Sequence, residues 1–190
     1  MDHTLTAEFA ALTTGRDRDV DLFGAARVIA RLRGEPVDTH GVARLLDLIA
    51  DDVARQAGER PAPGELAQAI DHELFVVRGF RGNADNYTDP ENRYLDCVLT
   101  RRTGLPIALS LVYMEIAQRV GLRCDGIGYP GHFFVRCGDP EQPIYVDPFN
   151  QGVRLDREEL LARLRNVPLG GAQPESFLAG VTRRQILQRM

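Results

Sequence analysis

His132 and Asp147 are the residues of this chain whose types and order could carry chemistry. Each borders a short apolar run, in GHFFVR and IYVDPF, and both follow the strongly apolar segment PIALSLVYMEIAQRVG. An imidazole oriented by a carboxylate is a general base with a fixed tautomer. In thiol acyl transfer it takes the proton of a cysteine at a helix N-terminus, where the helix dipole lowers the thiol pKa. Helix start, then His, then Asp is the order of such a triad. At the helix start, however, stands Pro106. Proline brings no nucleophile.

Few other side chains could replace the missing thiol. Ser110 lies four residues after Pro106, on the same helix face one turn deeper. A hydroxyl there is expected to bond back to the carbonyl four residues earlier rather than attack a substrate. Cys97 falls in the helical phrase LDCVL, where packing is its expected role, and Cys124 begins a strand. Cys137 is five residues from His132, so on a regular strand it faces the opposite side. Asn83, Asn86, Tyr87 and Asn92, in the polar stretch FRGNADNYTDPENRY, are candidate ligand contacts. Asx-turns that satisfy their own backbone are the competing expectation. Asp147 could likewise serve an Asx-turn with one oxygen and His132 with the other.

Several elements must position these groups. Helical spacing links Leu22, Ala25, Ala26, Ile29 and Leu32 before a break at Gly34-Glu35-Pro36, and again Val42, Leu45, Leu46, Ile49 and Val53 before Gly58. A third helix is expected over 65–77. An ordered loop over 80–94 and a short helix over 95–99 follow. Pro106 suits the first helical position, and the helix it opens is apolar on most sides and closes at Gly121. Strands are expected at 125–129, 132–136 and 144–146, with tight turns at PG and GDPEQP. Asp156 with Glu159 forms a capping box for a helix to about Arg165. NVPLGGAQPE reads as a loop, and a last amphipathic helix begins near Arg183.

Composition narrows the function classes. The 190 residues suit one core, and 44% hydrophobic with 26% charged residues are globular proportions. A net charge of −4 gives no electrostatic case for nucleic acid or an anionic membrane. All 23 basic residues are arginine, a usage that fits a GC-rich bacterial genome. No signal peptide and no membrane span are evident. Three cysteines without CxxC spacing argue against a disulfide framework or a zinc site and suit reduced thiols in the cytoplasm. No metal or cofactor motif is present.

The phrases GFRGNADNYTDPENRYLDCVL, RRTGLPIALSLVYMEIAQRVGL, GYPGHFFVR and YVDPFNQG together resemble the transglutaminase-like superfamily. Within it the chain is most similar to the SirB-type bacterial proteins, whose relatives also occur attached to F-box proteins. The resemblance spans residues 79–152, and the helical flanks fit as well. It implies an α+β, papain-like fold, with a helical N-terminal region (1–78) packed on a transglutaminase-like core (79–190) that bears a small antiparallel sheet. Catalytic members carry Gly-any-Cys before the helix. Matching Gly104 and Gly121 to the family's glycines puts Pro106 on the cysteine, His132 on the histidine and Asp147 on the aspartate. The expected function is therefore a non-catalytic, protein- or peptide-binding domain. The alternative is a hydrolase or acyltransferase in which His132 and Asp147 activate water, Ser110 or a partner's nucleophile. The resemblance also implies that VTRRQILQRM leads into further, often tetratricopeptide-like, helices. Docking of this phrase on the core or on a second copy is expected, with homo-oligomerisation as its consequence.

Overall fold

A computed structural model describes residues 3–34, 37–165 and 167–190. The break expected at Gly34-Glu35-Pro36 falls partly on Glu35 and Pro36, outside the described residues, as does Asn166 of the expected 166–175 loop.

The N-terminal half is helical: α1 (His3–Thr13), α2 (Leu22–Arg31), α3 (Thr39–Ala57) and α4 (Pro63–Asp71). Asp21 and Asp38 cap α2 and α3 by accepting the N–H groups of Gly24 and Gly41, which relieves orphan donors of each first turn. The helix expected over 65–77 stops being α-helical at Asp71 and continues as a π-helical turn, His72–Val77. Helix α1 was not foreseen. Its apolar pattern is short, with Leu5 buried and Phe9 and Leu12 packed against the core.

The 80–94 stretch is more structured than a loop. Its first residues form β1 (Arg81–Gly82), parallel to β2 (Thr103–Gly104), and Pro90–Arg93 make a 3-10 turn before α5 (Leu95–Arg101). Pro106 opens α6 (Pro106–Arg119), in which ten of fourteen residues are buried. It packs on β3 (Cys124–Tyr129) and β4 (His132–Gly138) on one side and on α3, α4 and α5 on the other. The near-continuous apolar sequence is explained by contact on both sides.

The main sheet is antiparallel in the order β3-β4-β5-β6, with β5 Pro143–Asp147 and β6 Val153–Leu155. Strand β6 was not expected, being three residues long and largely exposed. Pleating splits β4 between two cores. Phe133, Val135 and Cys137 join the large core around α6, while Phe134 joins Ile127, Tyr145, Leu160 and Leu178 on the other face. The second face is covered by α7 (Arg157–Leu164) and the 3-10 turn Pro174–Leu178. The Asp156 side chain caps α7 through the N–H groups of Glu158 and Glu159.

One expectation about the cysteines is overturned: Cys124 and Cys137 form a disulfide. The physical reason is register. Pro130 and Gly131 make a two-residue turn, with Gly131 at φ +72°, so Tyr129 pairs with His132. Stepping outward along both strands then puts Cys124 opposite Cys137.

The last helix, α8 (Arg183–Arg189), docks on its own chain beside α2. Ile186 and Leu187 are buried, and the N–H groups of Arg183 and Arg184 donate to the Asp17 carboxylate at 2.9 and 3.2 Å.

Candidate functional site

His132 is the first residue of β4 and Asp147 the last of β5, and alternation along the two strands puts both on the Phe134–Tyr145 face. His132 Nε2 lies 2.8 Å from Asp147 Oδ2. The Asp147 side chain is 5% exposed and that of His132 25%. Both oxygens of the carboxylate are committed. Oδ1 accepts the N–H groups of Phe149 and Asn150 at 3.1 and 3.2 Å, an Asx-turn, while Oδ2 accepts Asn150 Nδ2 at 2.7 Å beside the imidazole. Burial pushes this carboxyl up. The hydrogen bonds from His132 and Asn150, with the charge of His132, outweigh burial and hold it below the usual carboxylate range.

This geometry assigns tautomer and orientation. In the neutral ring, a carboxylate on Nε2 keeps the proton there and leaves Nδ1 with its lone pair, and Nδ1 has no hydrogen-bond partner among the described residues. The imidazole is a base with one nitrogen committed and the other available.

Phe149 was missed in the sequence, as was Asn150. The Phe149 ring stands edge-on to His132 (centroids 6.0 Å apart) and to Tyr87 (5.9 Å), so it joins the histidine to the 80–94 stretch. Gly82 makes this approach feasible, since a Cβ there would come within 2.5 Å of the Phe149 ring. The signal for both residues was the phrase DPFN itself, which places an aromatic and an amide within one turn of the aspartate.

Of the candidate ligand contacts, Asn92 is consumed by structure. It is 1% exposed; its Nδ2 donates to the carbonyls of Asn86 and Tyr87, and its Oδ1 accepts from Asn83. Its carbonyl also receives the N–H of Leu105, next to Pro106. Asn83 Oδ1 takes the Asn86 N–H in a local turn. What remains for a ligand is the exposed Asn86 side chain and Tyr87, which is 49% exposed and stacked by its edge on Phe149.

Pro106 occupies the first turn of α6 and is buried; Leu105 before it provides no side-chain cap. Strand β1 links this helix start to the histidine. The Asn83 N–H donates to the Gly104 carbonyl at 3.2 Å, and the Gly82 N–H donates to the Phe149 carbonyl at 2.9 Å. The helix end and the Asp147 turn are thus one strand apart.

Ser110 does not make its expected back-bond. Its hydroxyl is fully buried and has no hydrogen-bond partner among the described residues. Cys97 lies on α5, half-buried, where it accepts from Arg33, whose guanidinium also pairs with Asp96 at 2.6 Å. Burial pushes its thiol up and the arginine only partly offsets this.

A second, half-buried carboxylate supports the same turn from behind. Asp71 meets the Tyr113 hydroxyl of α6 at 3.0 Å and Arg154 of β6 at 2.5 Å, and the Phe75 ring abuts Gly152. Burial pushes the Asp71 carboxyl up to about 6 against the opposing pull of Arg154 and Tyr113. Among the described residues no cluster of His, Cys, Asp and Glu could hold a metal ion, and no helix is long and apolar enough to cross a membrane.

Comparison with known proteins gives these residues a context. The family model of the transglutaminase-like superfamily matches residues 40–190. A UPF0162 protein of Xylella fastidiosa (strain 9a5c) is 36% identical over 175 residues, covering 92% of this chain and 62% of its own length. A UPF0162 protein of Pseudomonas aeruginosa is 32% identical over 172 residues, 89% of this chain and 62% of its own. F-box only protein 21 of Mus musculus is 33% identical over 135 residues, 66% of this chain and 21% of its own. The chain thus spans about three fifths of the length of these bacterial relatives. No solved structure matches it significantly.

Proposed function

Because this chain belongs to the transglutaminase-like superfamily, we propose that it is a member in which the triad scaffold binds a peptide or protein segment and does not catalyse acyl transfer. The observation that carries the reading is Pro106 in the first turn of α6, at the position the family resemblance assigns to the nucleophile, while the His132–Asp147 hydrogen bond is intact. The other candidate nucleophiles each have a competing circumstance. Ser110 is fully buried, Cys97 lies on α5 and is held by Arg33, and Cys124 and Cys137 are bonded to each other.

The binding residues are His132, through its open Nδ1, and the exposed Tyr87, with Phe149 joining the two rings. An imidazole flanked by aromatic rings suits an extended peptide, whose carbonyl and amide groups can meet the ring nitrogen while an apolar side chain lies on the aromatics. Selection from a displayed peptide library tests this. Enriched peptides should bind the wild-type chain and lose at least about tenfold in affinity with Tyr87→Ala and with His132→Ala. Enriched peptides indifferent to both substitutions would overturn the reading.

A second reading has one observation in its favour. With Asp147 on Nε2, the free Nδ1 has the orientation a general base needs, and a water or a partner's hydroxyl or thiol could supply the nucleophile. Turnover of an amide or ester that disappears in His132→Ala would favour it.

A further inference from the structure

We propose that Cys124 is a thiol–disulfide exchange site, at which a small thiol or dithiol enters an open cleft and attacks the bridge to Cys137. The cleft, about 760 Å³, lies between α6, α8 and the start of β3, and Cys124 lines it together with Met114, Gln118, Arg123 and Ile186. The two cysteines are unequal in exposure. Cys137 is 1% exposed within the large core, whereas Cys124 is only half-buried at its margin. An incoming reagent therefore meets Cys124 first.

The acids that line the cleft are partnered: Glu115 with Arg119, Asp17 with the N–H groups of Arg183 and Arg184, and Asp21 with that of Gly24. Asp125, the acidic neighbour of Cys124, is paired with Arg136 at 2.7 Å. Arg123, the basic neighbour, is exposed and forms no ion pair among the described residues. A thiolate is drawn to the cation and meets the neighbouring carboxylate already partnered.

The exchange balances in two steps. A thiolate of the dithiol forms a bond to Cys124 Sγ, the Cys124–Cys137 bond breaks, and its electron pair leaves on Cys137 Sγ, which is then protonated. The second thiolate of the reagent attacks the reagent's own sulfur in the mixed disulfide, and Cys124 leaves as a thiolate that takes up a proton. The protein gains two electrons and two protons, and the dithiol departs as a disulfide. A monothiol forms the same mixed disulfide on Cys124, which the neighbouring Cys137 thiolate reverses or a second monothiol resolves by attacking the first one's sulfur, releasing Cys124 as a thiolate.

Alkylation with mass detection tests this on the full chain. Native protein prepared without reductant should show one free thiol, Cys97, on denaturation. After dithiothreitol under native conditions it should show three, with a rate proportional to dithiol concentration. Glutathione with an acid quench should trap its adduct on Cys124. In Cys137→Ser, the freed Cys124 should react with glutathione disulfide at least about tenfold faster than Cys97. Three thiols before reduction, a bridge that resists dithiol until denaturant is added, or an adduct on Cys137 would each overturn the proposal. Should Cys137→Ser not fold, the thiol counts and adduct position in the wild-type chain still decide it.

Discussion

Asn150 Nδ2 lies 2.7 Å from Asp147 Oδ2, the same oxygen that meets His132 Nε2 at 2.8 Å. One carboxylate oxygen therefore orders both the imidazole and the turn that follows it, while the other takes two backbone N–H groups. Removing Asp147 should strip partners from four donors at once. Asp147→Ala is expected to cost about 3 kcal/mol of unfolding free energy, and Asn150→Ala only about 1 kcal/mol. Urea denaturation checks both values. Equal costs would mean that the turn, not the carboxylate, carries the order.

Asp147 and Asp71 should give pH dependences of opposite sign. The folded pKa of Asp147 is depressed, so its stabilisation is present above the unfolded value of about 3.9 and is lost as pH falls through the folded value. The folded pKa of Asp71 is raised to about 6, so its contribution is full below about pH 4 and is lost as pH rises through about 6. Between those limits Asp71→Asn should gain on the wild type by about 3 kcal/mol. Stability curves of the two proteins that stay parallel from pH 4 to 7 would refute this.

Ser110→Ala removes a buried hydroxyl that has no partner among the described residues. It should be neutral or stabilise by up to about 1 kcal/mol. A loss of more than about 1 kcal/mol would mean that the hydroxyl is satisfied after all.

Pro106→Cys restores a thiol at an uncapped helix start. The helix dipole, and the imidazole that the family resemblance sets against this position, should lower the pKa of the introduced thiol, so iodoacetamide should label it about tenfold faster than Cys97 at pH 7. Labelling at equal rates would show that the imidazole and the helix end do not act on that position.

Much of this architecture was legible in the chain. The apolar phrase after Pro106 marked α6, and the order of His132 and Asp147 marked two adjacent strands, because periodicity and turn residues report local structure directly. The disulfide was legible too, but only by carrying the two-residue turn at Pro130-Gly131 through the strand register to Cys124 and Cys137. Counting cysteines without that register gave the wrong answer. The helix His3–Thr13 and the strand Val153–Leu155 left little local signal, since both depend on packing against distant elements. The unpaired Ser110 hydroxyl was not legible at all, because side-chain geometry in a packed helix decides it.

The central claim is that the His132–Asp147 scaffold binds without catalysing. Incubation of the wild-type chain with a glutamine-containing peptide and a labelled primary amine, with mass detection of both transfer and deamidation, tests it most directly. No product above that formed by His132→Ala is the predicted result; transfer or deamidation that depends on His132 would contradict it.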